Sequence, residues 1–449
     1  MIQKHMIAFI PIARKTFDIE LAERVTSEAR RYLVDVGFDL IGPENLITEL
    51  AQAKAAAKDL FNRSVDLVVI FQATFADSSM LMALTKNRTV PLFLWAVPEE
   101  HCGGRLRLNS FCGINLGGHA LKRAGVDYDF IYAEPGDPDV LKKLSALAKA
   151  GHAINALKGA KLGRVGENPE GFETCLLDPV KIKQKFDLDV IQYDLHQDIF
   201  PQALKADSGE INLLYKDLNH RVTGLEDLDV VSTKKSLGVY TTLKTIATQQ
   251  DLSGYAVRCW PEFFTELGCA ACGAMSMISD EMTPCSCEAD VNGTITQMIL
   301  QSISGQPAFG TDIVSLDSAL DAVVVWHCGL APLSMADPER TKGVTIHSNR
   351  QLPLLFEFTL KPGPVTISRL TESSDQYRLV IGSGDVIRGP MSFSGTSGLI
   401  HFARPAKEIL DFILTEGLEH HISITYGDYK DALVAFAKLK NIPILELPI

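Results

Sequence analysis

Up to about residue 300 the chain alternates apolar runs of strand length with longer runs of helical period, a pattern that admits few folds. Repeated strand–helix units set parallel strands side by side and cover both faces of the sheet with helices. HMIAFIPI reads as a buried first strand. DIELAERVTSEARRYLVDVG has the spacing of an amphipathic helix and stops at Gly37, and NLITELAQAKAAAKDLFNRS reads as a second helix with Asn45 placed to cap it. VDLVVIFQ and VPLFLWAV supply two more strands. Ligands of such sheets bind beyond the carboxyl ends of the strands, which makes Arg14, Gln72 and Thr74 candidate substrate-binding residues.

A second α/β unit begins near Lys158 with KLGRVGEN and ends near residue 300 after the helix TITQMILQSISG. The composition then shifts. GVTIHS, LLFEFTL, GPVTISRL, YRLVIGSGDV, GLIHFAR and HHISITYGD are short strand-like runs separated by Pro, Gly and Ser, the pattern of an antiparallel barrel or sandwich. The helix YKDALVAFAKLKN closes the chain. At 449 residues the chain exceeds what one core supports. We expect an α/β protein with two Rossmann-like parallel-sheet domains, 1–157 and 158–300, and a mainly antiparallel β-barrel domain, 301–449.

The net charge of -12 argues against nucleic acid and anionic membrane surfaces as partners. No apolar run reaches the roughly 18 residues that span a bilayer. The start, MIQKHMIAFIPIARKTFD, reads as a strand rather than a signal peptide, so a cytoplasmic location and reduced cysteines are expected.

Four ionisable residues stand in or beside apolar and small-residue runs of the last third: Glu288 in CSCEADVNG, Asp312 in FGTDIV, His327 in VVVWHCG and His421 in LEHHISITYGD. Such side chains are costly there unless paired or metal-bound. Taken singly, Glu288 also reads as a helix N-terminal carboxylate, Asp312 as a turn residue and His327 as a satisfied core histidine. Taken together, two carboxylates and one or two imidazoles suit Mn²⁺ or a similar divalent cation that holds adjacent oxygens of a small sugar and polarises its carbonyl. Strand alternation lets at most one of His420 and His421 enter such a site directly.

Cys269, Cys272, Cys285 and Cys287 give C-x2-C-x12-C-x-C, a spacing open to zinc. Their small apolar neighbours point instead to free thiols in a packed interior. GRVGENPEG and GINLGGHALKRAG fit neither a dinucleotide fingerprint nor a phosphate loop, and there is no Gly-x-Ser-x-Gly elbow.

With Glu288-Ala289-Asp290-Val291-Asn292-Gly293 on the page, the chain resembles the L-fucose isomerase and L-arabinose isomerase superfamily, in a short fucose isomerase-like branch. The family's segment is Glu-Asn-Asp-x-x-Asn-Gly; here Ala289 replaces the first Asn and the single Val291 stands between Asp290 and Asn292. Asp312 falls where the family's metal-binding Asp follows. His421 stands ahead of Ile442-Pro443 as the family's C-terminal histidine does, and His327 matches a further histidine of arabinose isomerases. The resemblance implies a metal-dependent aldose–ketose isomerase working through an enediol(ate). Glu288 and Asp312 would be metal ligands and the acid–base pair, with His421 and His327 as further ligands. It implies a substrate arginine at Arg14, an aromatic position that here falls on Thr74 or Phe75, and Trp260 beside the sugar. It implies a trimer-based homo-oligomer, a trimer or hexamer, in which one subunit's N-terminal domain covers another's site. Short relatives handle sulfoquinovose, so a sulfonated or phosphorylated sugar is the alternative substrate, with Arg14 and a second, unidentified basic residue binding the anion. A non-catalytic sugar-binding protein on the same fold is the alternative of a different class.

Overall fold

The structure is a computed structural model that describes residues 4–61, 63–86, 90–373 and 376–448. Asn62, in the second helical run, and Met1–Gln3, at the start, lie outside the described residues. The chain forms two compact units: residues up to Asn155 with the returning helical segment Asp431–Leu439, and Ala156–Lys430 with the stretch that follows Leu439.

The first unit is built on five parallel strands, β1 (Met6–Ile12), β2 (Asp39–Ile41), β3 (Leu67–Gln72), β4 (Leu92–Ala96) and β5 (Asp129–Tyr132), in the order β2-β1-β3-β4-β5. Alternate residues of the central strands enter opposite cores. Phe9, Val69, Phe71 and Trp95 pack on one face, and Ala8, Ile10, Val68 and Ile70 on the other. That two-sided burial is why these strands are apolar throughout. The second helix starts at Leu50 rather than at Asn45. Ile47 instead bridges Ile12, with its amide donating to Pro11 O and its carbonyl accepting from Ala13 N–H, so pairing with β1 keeps the intervening chain extended.

The second unit carries two sheets. β6 (Lys161–Val165), β7 (Asp189–Tyr193), β8 (Leu252–Val257) and β9 (Cys285–Ser286) form a parallel sheet in the order β7-β6-β8-β9. The remaining strands are β10 (Phe309–Asp317), β11 (Ala322–His327), β12 (Gly343–Thr345), β13 (Leu355–Thr359), β14 (Gly363–Ser373), β15 (Gln376–Ile387), β16 (Thr396–His401), β17 (His421–Tyr426) and β18 (Ile444–Glu446). Six of them close an antiparallel barrel in the order β16-β11-β10-β17-β14-β15, with β15 pairing back onto β16. The helix Val291–Ser304 is buried along almost its whole length, between β8 of the parallel sheet and β14 and β17 of the barrel. Its amino-terminal end therefore faces the barrel.

The cysteine expectation holds for Cys269, Cys272 and Cys285, which are buried free thiols. It fails for Cys287, which is disulfide-bonded to Cys259 with a Cα–Cα distance of 5.8 Å. The chain brings the carboxyl end of β8 beside that of β9, a proximity that spacing along the sequence does not reveal. Among the described residues the four cysteines of the zinc-like spacing form no ligand group.

Candidate active site

Parallel strands present the residues that follow them, and the second sheet does so at β8 and β9. Trp260 lies on the segment after β8, and Glu288 directly after β9. The chain turns there through two left-handed residues, Glu288 (φ 59°) and Ala289 (φ 55°), before Asp290 caps the buried helix by accepting the Gly293 N–H at 2.8 Å. Consecutive non-glycine residues at positive φ carry a conformational cost that surrounding contacts must offset. Here those contacts hold the carboxylate. Trp260 Nε1–H donates to Glu288 Oε1 at 3.2 Å, and His420 Nε2 lies 3.1 Å from Oε2. Burial raises the Glu288 pKa, but His420, His421 and Trp260 outweigh it and hold the carboxyl below its ordinary value.

The barrel supplies the opposite wall. β10 runs between β11 and β17, and Asp312 sits directly across from His421. His421 Nε2 is 3.3 Å from Asp312 Oδ1 and 3.8 Å from Glu288 Oε2. The other ring nitrogen, Nδ1, is 3.0 Å from Asp290 Oδ2. A carboxylate only accepts, so Nδ1 donates to Asp290, and Nε2 is the nitrogen left to ligate a cation between the two remaining carboxylates. Asp290 is itself held by Arg369, both side chains being 1% exposed. Burial pushes the Asp290 carboxyl up, yet Arg369 and His421 more than reverse this and leave it well below the usual carboxylate range. The motif's glycine permits that approach, because a Cβ at Gly293 would stand 2.5 Å from Asp290 Oδ2 and 3.0 Å from Arg369 Nη1.

His327 is buried at the end of β11, its ring centroid 6.2 Å from that of His421. Its Nδ1 accepts the Cys328 N–H at 2.9 Å, which leaves the proton of a neutral ring on Nε2. His420 precedes β17, outside the pleat, and both rings reach Glu288, with centroids 4.0 Å apart.

The donors fit a divalent cation. Asp312 Oδ1 is buried with no hydrogen-bond partner, and it faces His421 Nε2. Two ligand-sized groups overlap on His421, one with Glu288 and His420 and one with Asp312 and His327. A third, with Cys175 and Asp290, suits an ion less well. Asp290 is already committed to Arg369, and burial pushes the Cys175 thiol up to about 12.

The structure thus gathers Glu288, Asp312, His327, His421 and Trp260 in the second unit. In the first unit Arg14, Gln72 and Thr74 meet at the carboxyl ends of β1 and β3, where the strand order reverses. The Arg14 N–H donates to Thr74 Oγ1 at 2.8 Å, and Gln72 Nε2 donates to Thr74 O at 3.0 Å. Asp290 and Arg369 were missed as supporting residues. One signal was available: Arg369 interrupts the apolar strand run of VTISRL, where a charge needs a buried partner.

Parallel-sheet loops and a barrel wall converging carboxylates and imidazoles on one point define the class, a sugar aldose–ketose isomerase. Residues 8–158 match the family "Fucose/sulfoquinovose isomerase, N-terminal domain", and residues 356–447 match "L-fucose isomerase, C-terminal domain". The chain is 30% identical over 442 residues to the sulfoquinovose isomerase of Priestia aryabhattai, covering 98% of each chain. It is 29% identical to that of Alkalicoccus urumqiensis over 98% of this chain and 99% of the relative, and 27% identical to that of Clostridium sp. (strain MSTE9) over 97% and 98%. The chain belongs to the fucose isomerase-like family of sugar isomerases, and it is an intramolecular oxidoreductase that interconverts aldose and ketose. No helix among the described residues is long and apolar enough to cross a membrane.

Proposed function

We propose that the chain isomerises open-chain sulfoquinovose to the corresponding ketose, with Glu288, Asp312 and His421 Nε2 holding a divalent ion, Mn²⁺ first. The observation that carries the site assignment is the buried, unpartnered Asp312 Oδ1 facing His421 Nε2. A bound divalent ion supplies Lewis acidity toward the sugar's carbonyl and neighbouring hydroxyl. The chain's own residues move the protons. Glu288 takes the proton from C2 as the carbonyl oxygen at C1 gains one, giving the enediol, and then returns its proton to C1. Asp312 serves the oxygens, carrying the O2 proton to O1, so that the C2 carbonyl forms and both carboxylates end as they began. Trp260 and His420 fix the Glu288 carboxylate, and His420, 37% exposed, links it toward solvent. His327 Nε2–H faces the same space as a donor rather than as a ligand.

The sulfonate reading rests on the relatives and on Arg350. Its guanidinium lies over the Trp260 ring at 4.9 Å and the Phe264 ring at 5.2 Å, with Nη1 2.8 Å from His347 Nε2. Trp260 is the ring that holds Glu288, so Arg350 stands about an indole's width from the reacting carbons. A guanidinium pairs well with a tetrahedral oxyanion. Arg350 is then the second basic residue that the sequence left unidentified, while Arg14, Gln72 and Thr74 stand as the substrate-binding candidates of the first unit. A trimeric or hexameric assembly and a cytoplasmic setting complete the proposal.

The test is turnover of sulfoquinovose against unsulfonated aldoses, with and without Mn²⁺ after chelation. Activity on sulfoquinovose that is lost on chelation and regained with Mn²⁺ is expected. A preference for unsulfonated sugars would remove the sulfonate reading, and undiminished activity after complete metal removal would remove the ion.

A further inference from the structure

A second cluster of imidazoles and a carboxylate lies in the first unit, at the opposite edge of its sheet from Arg14, Gln72 and Thr74. His5 immediately precedes β1 and Asp66 immediately precedes β3, so both stand at the amino-terminal edge. His152 comes from the helix Pro138–Leu157. That helix approaches closely because residue 151 is glycine: a Cβ there would lie 1.8 Å from Asp66 O. His152 and Asn155, three apart on one helix face, then both reach the aspartate. His152 Nδ1 is 3.2 Å from Asp66 Oδ1, and Asn155 Nδ2 donates to the same oxygen at 3.2 Å. Asp66 Oδ2 accepts the Met6 N–H at 3.0 Å.

His5 is the anomaly. It is 6% exposed, and its Nδ1 is buried with no hydrogen-bond partner. That atom is 3.7 Å from Asp66 Oδ2, within ion-pair distance but beyond hydrogen-bond reach. An orphaned imidazole nitrogen in a dry interior is unfavourable unless something else binds it. The three residues offer donor atoms that all lie within 4.8 Å of one another. With ligand bonds of about 2.0–2.1 Å, neighbouring donors of a tetrahedral zinc site stand about 3.3 Å apart, near the 3.2 Å from His152 Nδ1 to Asp66 Oδ1 and the 3.7 Å from His5 Nδ1 to the other carboxylate oxygen, Oδ2.

We propose that His5 Nδ1, His152 Nδ1 and Asp66 form a second metal site that takes a zinc-like divalent ion and fastens the amino-terminal edge of the first sheet to the helix behind it. Two imidazoles and one carboxylate favour zinc over calcium or magnesium. Binding displaces the proton that His152 Nδ1 now shares with Asp66 and gives His5 Nδ1 its missing partner. Burial raises the Asp66 carboxyl, but His152, His5 and the Met6 amide outweigh it and keep it ionised, as a ligand must be. His152 is 32% exposed on its side chain, which leaves an entry path and room for a water as fourth ligand.

The experiment compares the full-length protein with His5→Ala/His152→Ala, each stripped of metal, loaded with Zn²⁺ or Co²⁺ and freed of excess. Wild type should retain one more equivalent of Zn²⁺ than the variant. Co²⁺-loaded wild type should show the intense visible absorption of a four-coordinate ion, lost in the variant, while Mn²⁺-supported turnover stays equal. Equal metal content and identical spectra would overturn the proposal. If the double variant does not fold, wild-type crystals grown with Zn²⁺ decide the matter. An anomalous peak between His5, His152 and Asp66 supports the site, and its absence at full zinc occupancy elsewhere refutes it.

Discussion

Two buried aspartates in this molecule are neutralised in different ways. Asp290 is matched by a fixed cation, Arg369, buried beside it. Asp66 has no arginine or lysine among its described partners and relies on imidazoles, an amide side chain and a backbone N–H. The contrast separates a place for chemistry from a place for structure. Arg369 stays charged at every working pH, so Asp290 stays ionised and holds the His421 Nδ1–H, with Nε2 aimed between Glu288 and Asp312. The cluster at Asp66 is instead completed by whatever cation reaches it, a proton or a metal ion.

The comparison breaks first at turnover. Glu288→Gln keeps the size and the hydrogen bond from Trp260 but removes the base, so turnover per metal-loaded site should fall about 10²–10⁴-fold. Asp66→Asn should leave turnover within about twofold. Steady-state kinetics on metal-analysed protein checks both, and a large loss in Asp66→Asn would erase the distinction.

The next effect is on stability. Arg369→Met strands the Asp290 charge and should cost about 3–5 kcal/mol in denaturant unfolding, the range for breaking a buried ion pair. Arg369→Met/Asp290→Asn should recover part of that loss, because the Asp290 charge is gone while Glu419, 3.5 Å from Arg369 Nε, still loses its partner. Asp66→Asn should cost less, about 1–3 kcal/mol, as for a buried hydrogen-bonded group. Equal losses at the two sites would mean that Arg369 is not the deciding partner.

Specificity follows. Arg350→Ala should raise KM for sulfoquinovose about 10- to 100-fold, the equivalent of one charge-assisted contact, while unsulfonated aldoses change little. The same shift for both sugars would make Arg350 a mere support for Trp260.

These contrasts also show where sequence reasoning reaches. The parallel strands were legible because β1, β3 and β4 are buried on both faces and apolar throughout. The barrel strands were legible as short runs between Pro, Gly and Ser. Glu288, Asp312, His327 and His421 were legible because ionisable residues stood in apolar surroundings, and the structure places them together. What was lost depends on partners distant in sequence. Ile47 leaves its helix to bridge Ile12, Cys287 pairs with Cys259, and Asp290 meets Arg369 from a strand far along the chain.

The most direct test of the account follows sulfoquinovose in D₂O by NMR with metal-matched wild type and Asp312→Asn. Wild type should form the ketose with solvent deuterium at C1, while Asp312→Asn binds the sugar but forms ketose at least about 100-fold more slowly. Wild-type rates in the variant, at equal metal content, would contradict the assignment of proton transfer to the carboxylates around His421.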